Sequence, residues 1–121
     1  MKALIIDDND DARSIAAMSL SILGGMDVIE AANGHDGIKS AEQESPDLIL
    51  LDMVMPTMDG SETHQKLQQN PLTKAIPVIL MAPANMTSEI ENMKSRGVAG
   101  IVTKPFDPSR LPMEVLKILQ R

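Results

Sequence analysis

Four charged side chains each follow a short apolar run, and their types fit metal binding and phosphoryl chemistry. They are Asp7, Asp8, Asp52 and Lys104. An ionised carboxylate at the rim of a core is costly unless it is paired or bound to a metal. Three converging carboxylates would repel one another and raise at least one pKa unless a cation intervened. Oxygen-only ligands favour a hard divalent ion, here Mg²⁺, for which Mn²⁺ can substitute.

The elements that must position these residues alternate along the chain as apolar runs and helical patterns. The predicted strands are residues 2–6, 27–31, 48–51, 77–82 and 100–103. The predicted helices are residues 11–25, 33–44, 60–69, 87–97 and 110–121. This alternation predicts an α/β fold with a parallel sheet and right-handed crossovers. Ligands of such sheets bind beyond the carboxyl ends of the strands, where the four charged residues would lie.

Two patterns support individual helices. Ile15, Met18 and Ile22 recur at helical spacing in the first predicted helix. Ser88 and Glu91 have the spacing of a capping box, in which each side chain bonds a backbone N–H at the start of a helix.

Composition narrows the class of protein. The 121 residues suit one compact domain, residues 1–121, and no output domain is expected. A net charge of −6 without a basic stripe argues against direct binding of nucleic acid or anionic membranes. With no cysteine, disulfides and thiolate metal sites are impossible. The first apolar run is too short for a signal peptide or a membrane span, which favours a cytoplasmic protein.

Four motifs in this order resemble a CheY-like receiver domain, the phosphoacceptor module of bacterial two-component response regulators. They are "IIDDND" (5–10), "LLDMVMPTMDG" (50–60), "IPVILMA" (76–82) and "VTKPF" (102–106). The resemblance covers the whole chain. It implies a flavodoxin-like (βα)5 fold with strand order 2-1-3-4-5 and helices on both faces of the sheet. In that order the first and third strands are neighbours, so the carboxylates would meet.

The resemblance implies a role for each site residue. Asp52 is similar to the aspartate that accepts a phosphoryl group from a phosphohistidine of a histidine kinase. Asp8 and Asp52 would bind Mg²⁺ directly, Asp7 would act through a metal-bound water, and the backbone carbonyl of Val54 would be a further ligand. Lys104 would pair with Asp52 at rest and with a phosphoryl oxygen afterwards.

The implied activity is that of a signalling protein rather than an enzyme. The chain would assist its own phosphorylation and dephosphorylation. Its partners would be a sensor histidine kinase or phosphotransfer protein and a downstream protein. Pro105 would follow a cis peptide bond, which is essentially a feature of proline.

The sequence departs from this family at the positions of its conformational switch. Ala82 and Pro83 stand in the phosphoryl loop where the family usually has Thr or Ser followed by Ala. Ile101 stands at the switch position, where Tyr or Phe is frequent. The missing hydroxyl and aromatic ring predict an atypical conformational readout.

Other functions fit less well or remain open. A flavodoxin-type FMN carrier needs a phosphate-binding first loop, and "DDNDD" would repel phosphate without a cation. A haloacid-dehalogenase-like phosphatase, Mg²⁺-dependent with an aspartate nucleophile, wants a second aspartate where Val54 stands. A receiver-like interaction module that no longer switches, or a phosphate sink, stays open because of the departures.

Several polar residues have plainer interpretations. Asp10 suits the positive end of a helix dipole, and Asp59 suits a turn and helix cap. His35 and His64 lie on polar stretches and are expected to be solvated. The three methionines between positions 53 and 58 are expected to fill gaps or to shape a partner surface.

Overall fold

Five parallel strands form one sheet flanked by five helices in the computed structural model, which describes residues 1–120. The strands are β1 (Lys2–Ile6), β2 (Asp27–Ala31), β3 (Leu48–Asp52), β4 (Val78–Pro83) and β5 (Gly100–Lys104). The helices are α1 (Asp10–Met18), α2 (Gly34–Glu44), α3 (Gly60–Gln69), α4 (Thr87–Ser95) and α5 (Leu111–Leu119). The strand order 2-1-3-4-5 confirms the predicted flavodoxin-like fold.

The sheet is covered on both faces, which explains the continuous apolar runs of its inner strands. All five residues of β3 are buried. Leu48 and Leu50 pack in the core on the side of α1 and α5, whereas Ile49 and Leu51 pack on the side of α2, α3 and α4. Alternate residues of one strand therefore serve two cores.

Strands β3 and β5 extend one residue further than predicted. Asp52 is the last residue of β3 and Lys104 is the last residue of β5. Asp52 pairs in register with Met81, and Lys104 pairs with Pro83 at the end of β4. Because strand pairing fixes the backbone, both charged residues are held by the sheet rather than by a loop.

The first predicted helix, residues 11–25, is divided. Helix α1 ends at Met18, and a π turn continues it over Ser19–Leu23. The hydroxyl of the buried Ser19 donates a hydrogen bond to the carbonyl of Pro108. The widened turn therefore connects α1 to the segment between β5 and α5.

The apolar residues that reveal α1 in the sequence do not form its buried face. Ile15, Met18 and Ile22 are 45%, 58% and 70% exposed. Helix α1 contributes Ala16 and Ala17 to the core, and the π turn contributes the fully buried Leu20. Helical spacing identifies a helix but leaves open which side faces the core when small residues can do the packing.

Helix beginnings differ along the chain. Side chains that accept a hydrogen bond from a backbone N–H cap α1, α2 and α3; these are Asn9, Asn33 and Asp59. The prediction of a capping box at Ser88 and Glu91 is wrong, because α4 follows Met86 and has no side-chain cap. The Ser88 hydroxyl contacts the neighbouring Glu89 instead. No helix among residues 1–120 has the length and apolar character that crossing a membrane requires.

Candidate functional site

Three carboxylates meet at the carboxyl edge of β1 and β3. Asp7, Asp8 and Asp52 each offer an oxygen atom that lies within 4.8 Å of the other two. Asp7 and Asp52 are buried, whereas Asp8 is exposed. Because β1 and β3 are neighbours in the sheet, the strand order brings together acids that lie far apart in the sequence.

The Asp7 carboxylate is held by two donors. One of its oxygens accepts a hydrogen bond from the backbone N–H of Asn9 at 2.9 Å, and the other accepts one from Lys104 Nζ at 2.8 Å. Both oxygens of this fully buried group therefore already have partners. Asp8 differs, since its carboxylate accepts no hydrogen bond from the side chains and backbone of residues 1–120 and faces solvent.

Lys104 contacts both buried acids. Its Nζ lies 2.8 Å from an oxygen of Asp7 and 3.4 Å from an oxygen of Asp52. The resemblance predicted a pair with Asp52, and the structure adds a shorter contact with Asp7. A cation between two like charges lowers their mutual repulsion, so the lysine stabilises the pair rather than one member.

The pKa of Asp52 is raised from 3.8 to about 7, chiefly because the group is buried and next because the Asp7 carboxylate lies beside it. Lys104 and the Val54 N–H, which lies 3.3 Å from Asp52 Oδ1, act in the opposite direction. Near neutral pH this carboxyl is therefore poised between its two protonation states. A nearby divalent cation would favour the ionised state, which is the nucleophilic one.

The donor set fits a hard divalent cation. The cluster contains only carboxylate oxygens, as Mg²⁺ prefers. Val54 follows it at the start of the loop after β3 and is 51% exposed, so the loop leaves this side of the cluster accessible to solvent.

The loop after β3 is closed at its base. The N–H of Gly60 donates a hydrogen bond to the carbonyl of Met53 at 2.9 Å. A Cβ atom at Gly60 would lie 2.6 Å from Met53 Cα and 2.7 Å from the carbonyl oxygen of Asp52. Such distances are too short for any side chain, so glycine is required where α3 begins behind the end of β3.

The phosphoryl-loop and switch positions are apolar. Ala82 is fully buried at the end of β4, followed by Pro83. Ile101 is half-buried and packs against the core on the side of α4. The Lys104–Pro105 peptide bond is cis.

The expectation that His64 is solvated is wrong. Its side chain is 1% exposed, and within residues 1–120 neither ring nitrogen has a hydrogen-bond partner. Burial lowers the pKa of His64, and the charge of Arg96 lowers it further. His64 stands four residues after Gly60 and three before the buried Leu67, so helical spacing could have placed it on the buried face. His35, in contrast, is exposed as predicted.

The methionines of the loop after β3 are mostly buried. Met53, Met55 and Met58 are each less than a tenth exposed, as gap filling predicts, and Met53 and Met55 also line a depression between this loop and α4. Their flexible side chains occupy the space between the loop and the core.

Sequence reasoning missed Arg13, which contacts three segments. Its guanidinium donates to the backbone carbonyl of Asp7 at 2.8 Å and to the carboxylate of Asp10 at 2.7 Å, and lies 3.3 Å from Glu30 on β2. A basic residue five positions after a pair of acids is too ordinary a pattern to identify such a group.

An exposed apolar surface extends from the site along α1. Two depressions in it share Ile15 and Pro108, so they form one continuous surface. The depression nearer the acids also includes Pro83, Lys104 and Phe106. The further one is lined by side chains of α1 and its π turn. We call the set Ile15, Met18, Ile22, Leu23 and Pro108 the α1 apolar surface.

The fold and the acidic pocket together define a receiver domain. Residues 3–116 match the family model described as response regulator receiver domain, and the chain belongs to that family. Receiver domains are signalling modules of two-component systems; they bind Mg²⁺ at an acidic pocket and interact with histidine kinases or phosphotransfer proteins.

Among particular relatives, the chain is 30% identical over 119 residues to Protein PilH of Pseudomonas aeruginosa, covering 98% of each chain. It is 32% identical over 120 residues to the alkaline phosphatase synthesis transcriptional regulatory protein PhoP of Bacillus subtilis, covering 99% of this chain and 49% of PhoP. The chain thus spans about half the length of several relatives that it matches. The solved structure of chemotaxis protein CheY4 from Vibrio cholerae superimposes with a TM-score of 0.89 at 26% identity, covering 97% of each chain.

Proposed function

We propose that this receiver domain, residues 1–121, is the phosphoacceptor of a two-component phosphorelay and that Asp52 is the acceptor. The observation that carries the proposal is the position of Asp52 at the end of β3, within reach of two further carboxylates and 3.4 Å from Lys104. The Asp52 carboxylate attacks phosphorus, the bond from phosphorus to the donor imidazole breaks, and the imidazole keeps the electron pair. An acyl phosphate on Asp52 results.

Mg²⁺ is the proposed cofactor, and Mn²⁺ can substitute for it. Asp8 and Asp52 hold the cation, with Asp7 and the carbonyl of Val54 as its further supports. When bound, the cation neutralises charge on the transferring phosphoryl group. Lys104 supplies a second positive charge at the same place. Its contacts with Asp7 and Asp52 hold it ready to meet a phosphoryl oxygen.

The α1 apolar surface is the proposed docking face for the phosphohistidine-bearing partner. It is continuous with the depression that includes Lys104, so a partner seated on it brings its histidine to the acids. Changing Ile22 to Glu should slow transfer from a phosphorylated histidine kinase but leave uptake from a small acyl phosphate unchanged. Leu72→Glu, at an exposed apolar residue far along the chain, is the matched control. Equal slowing with both donors would contradict this docking face.

The proposed readout of phosphorylation is muted. Ala82 cannot donate a hydrogen bond to a phosphoryl oxygen, and Pro83 has no backbone N–H to offer. Ile101 is stiff at χ1 and packs against the core, so it does not swing as an aromatic ring could. The signal is therefore read near Asp52 and the loop that follows Pro83. A phosphate sink is the second candidate function, favoured by the same substitutions.

The experiment that tests the acceptor is intact-mass measurement after incubation with Mg²⁺ and a small acyl phosphate. The wild type should gain one phosphoryl group, Asp52→Asn should gain none, and Asp11→Asn, at an exposed acid of α1, should behave as the wild type. Borohydride trapping followed by peptide mapping should place the label on Asp52. A label on Asp7 or Asp8 would overturn the assignment.

A further inference from the structure

One guanidinium joins three segments beside the acidic pocket. Arg13 contacts the carbonyl of Asp7 after β1, the carboxylate of Asp10 at the start of α1, and the carboxylate of Glu30 on β2. Its side chain is 16% exposed, so most of it is withdrawn from solvent. The planar fork of arginine can serve several acceptors in fixed directions, which a lysine ammonium cannot.

The carbonyl that Arg13 contacts belongs to the peptide that links the two neighbouring acids. A peptide group is planar, so fixing the carbonyl of Asp7 also fixes the direction in which the chain enters Asp8. Asp7 is fully buried, and its own N–H bonds the carbonyl of Ala31 at 3.1 Å. The two peptide groups that flank Asp7 are thus both held, the preceding one by β2 and the following one, Asp7–Asp8, by Arg13.

Two effects of Arg13 on a bound cation oppose each other. A positive charge near the site repels Mg²⁺, so charge alone predicts that removing it would tighten binding. Orientation of the Asp7–Asp8 peptide places the carboxylates, so loss of the hydrogen bond predicts weaker binding. The sign of the change therefore tells which effect dominates.

We infer that Arg13 is a positioning residue for the proposed metal site and that its orienting effect exceeds its repulsion. The inference rests on the proposed function, because it concerns the same acids. Arg13 is not among the proposed ligands of the cation; it would act through the Asp7 carbonyl. Arg13→Gln is expected to weaken Mg²⁺ binding about tenfold, although it removes a repelling charge.

The test is a titration of the metal-free protein with Mg²⁺ alone, followed by amide chemical shifts. It compares the wild type with Arg13→Gln and with Arg13→Lys, which keeps the charge but lacks the fork. Both variants should bind Mg²⁺ more weakly than the wild type. Lys39→Gln removes one positive charge from an exposed position on α2 and should stay within about twofold of the wild type. The metal-free spectra of both Arg13 variants should also show shifts at Asp8 and Asn9.

The outcomes separate the two proposals. Mg²⁺ binding to Arg13→Gln that equals or exceeds wild-type binding overturns the role of Arg13 and leaves the proposed metal site standing. Full wild-type affinity in Arg13→Lys overturns it as well, since that result shows that the planar fork of arginine is not needed to place the acids. If the wild type itself shows no Mg²⁺-dependent shifts around Asp8 and Asp52, the metal site and the role of Arg13 both fall.

Discussion

The edge formed by the ends of β1, β3 and β5 is fixed by polar contacts, whereas the region formed by Ala82 on β4, Ile101 on β5 and the start of α4 has, within residues 1–120, no side-chain hydrogen bond that reaches the acids. At the first, Asp7 accepts hydrogen bonds from three different residues and a capped helix begins directly afterwards. At the second, α4 begins without a side-chain cap, and the side chains of Ala82 and Ile101 are apolar.

This difference separates two tasks of a receiver domain. Taking up a phosphoryl group needs charges at fixed distances, and the first region supplies them. Converting that event into a new surface needs groups whose contacts differ between two states, because a ligand shifts an equilibrium only through such differences. The second region lacks the groups that would make them.

The largest expected effect is the restoration of a readout in the double variant Ala82→Thr, Ile101→Tyr. A hydroxyl bonded to a phosphoryl oxygen contributes about 1.5–3 kcal/mol to the active state. With beryllofluoride and Mg²⁺, wild-type amide shifts should stay near Asp52, Pro83 and Lys104, and those of the double variant should extend into α5. Val in place of Thr at position 82 is the control of equal shape. Wild-type shifts that already run through α5 would contradict the muted readout.

Removing the charge of Asp52 should stabilise the metal-free protein. Its folded pKa, about 7, lies above the ordinary 3.8, so the stability that this carboxyl contributes is complete below 3.8 and is lost as pH rises through 7. Asp52→Asn should therefore gain about 2 kcal/mol at about pH 8, or a rise of about 8 °C in Tm, and less at about pH 5.

Thermal melts in a chelator at the two pH values measure this gain. Asp11→Asn, at an exposed acid, should change Tm little at either pH. Mg²⁺ should reduce the difference in Tm between Asp52→Asn and the wild type, because the cation relieves the repulsion among the acids of the wild type. If Asp52→Asn is less stable than the wild type at the higher pH, the ionised Asp52 carboxylate does not destabilise the fold.

His64 should make the protein sensitive to acid. Its folded pKa lies below the ordinary 6.5, so its contribution to stability is complete above 6.5 and is lost as pH falls below that value. His64→Leu should reduce the stability lost between about pH 8 and about pH 5 by about 1 kcal/mol. Urea unfolding at both pH values measures it, with His35→Leu, at the exposed histidine, as the control. Equal effects of the two substitutions would rule out burial as the cause.

The smallest expected effect concerns the lifetime of the phosphoryl group. Val54 stands at the proposed path of the attacking water and cannot orient it by a hydrogen bond. Val54→Asn should speed the loss of phosphate about threefold, equivalent to about 0.7 kcal/mol. Decay of the phosphorylated mass after removal of the donor measures the rate, and Val54→Leu is the apolar control. An unchanged rate of phosphate loss in Val54→Asn would show that position 54 does not control the attacking water.

Much of the fold follows from local pattern. The predicted bounds of all five strands agree with the structure to within a residue at either end. Continuous apolar runs locate β1, β3 and β4, because strands buried on both faces must be apolar nearly throughout. The position of Asp52 after such a run also predicts the acidic edge, since parallel strands end together. The strands and the acidic edge can be predicted because they depend on backbone periodicity and strand order.

The remaining features depend on contacts between distant residues. The second partner of Lys104 follows from side-chain reach across the sheet edge. The burial of His64 depends on what packs over α3, and the exposure of Ile22 depends on small residues doing the packing elsewhere on the helix. The π turn after Met18 has no local signature comparable to a proline or a glycine pair. Such features depend on tertiary contacts, which a local sequence pattern does not reveal.

The two ends of the loop after β3 meet beside the backbone of Asp52, the proposed acceptor, since Gly60 lies against Asp52 and donates a hydrogen bond to Met53. The hydrogen bond between Gly60 and Met53 therefore closes the loop, whatever conformation residues 54–59 adopt. The entropy of closing a loop changes slowly with its length, so residues can be added or removed near Thr57 while Asp52 keeps its place. The sequence of the loop can therefore change to suit a partner protein while the position of Asp52 stays the same.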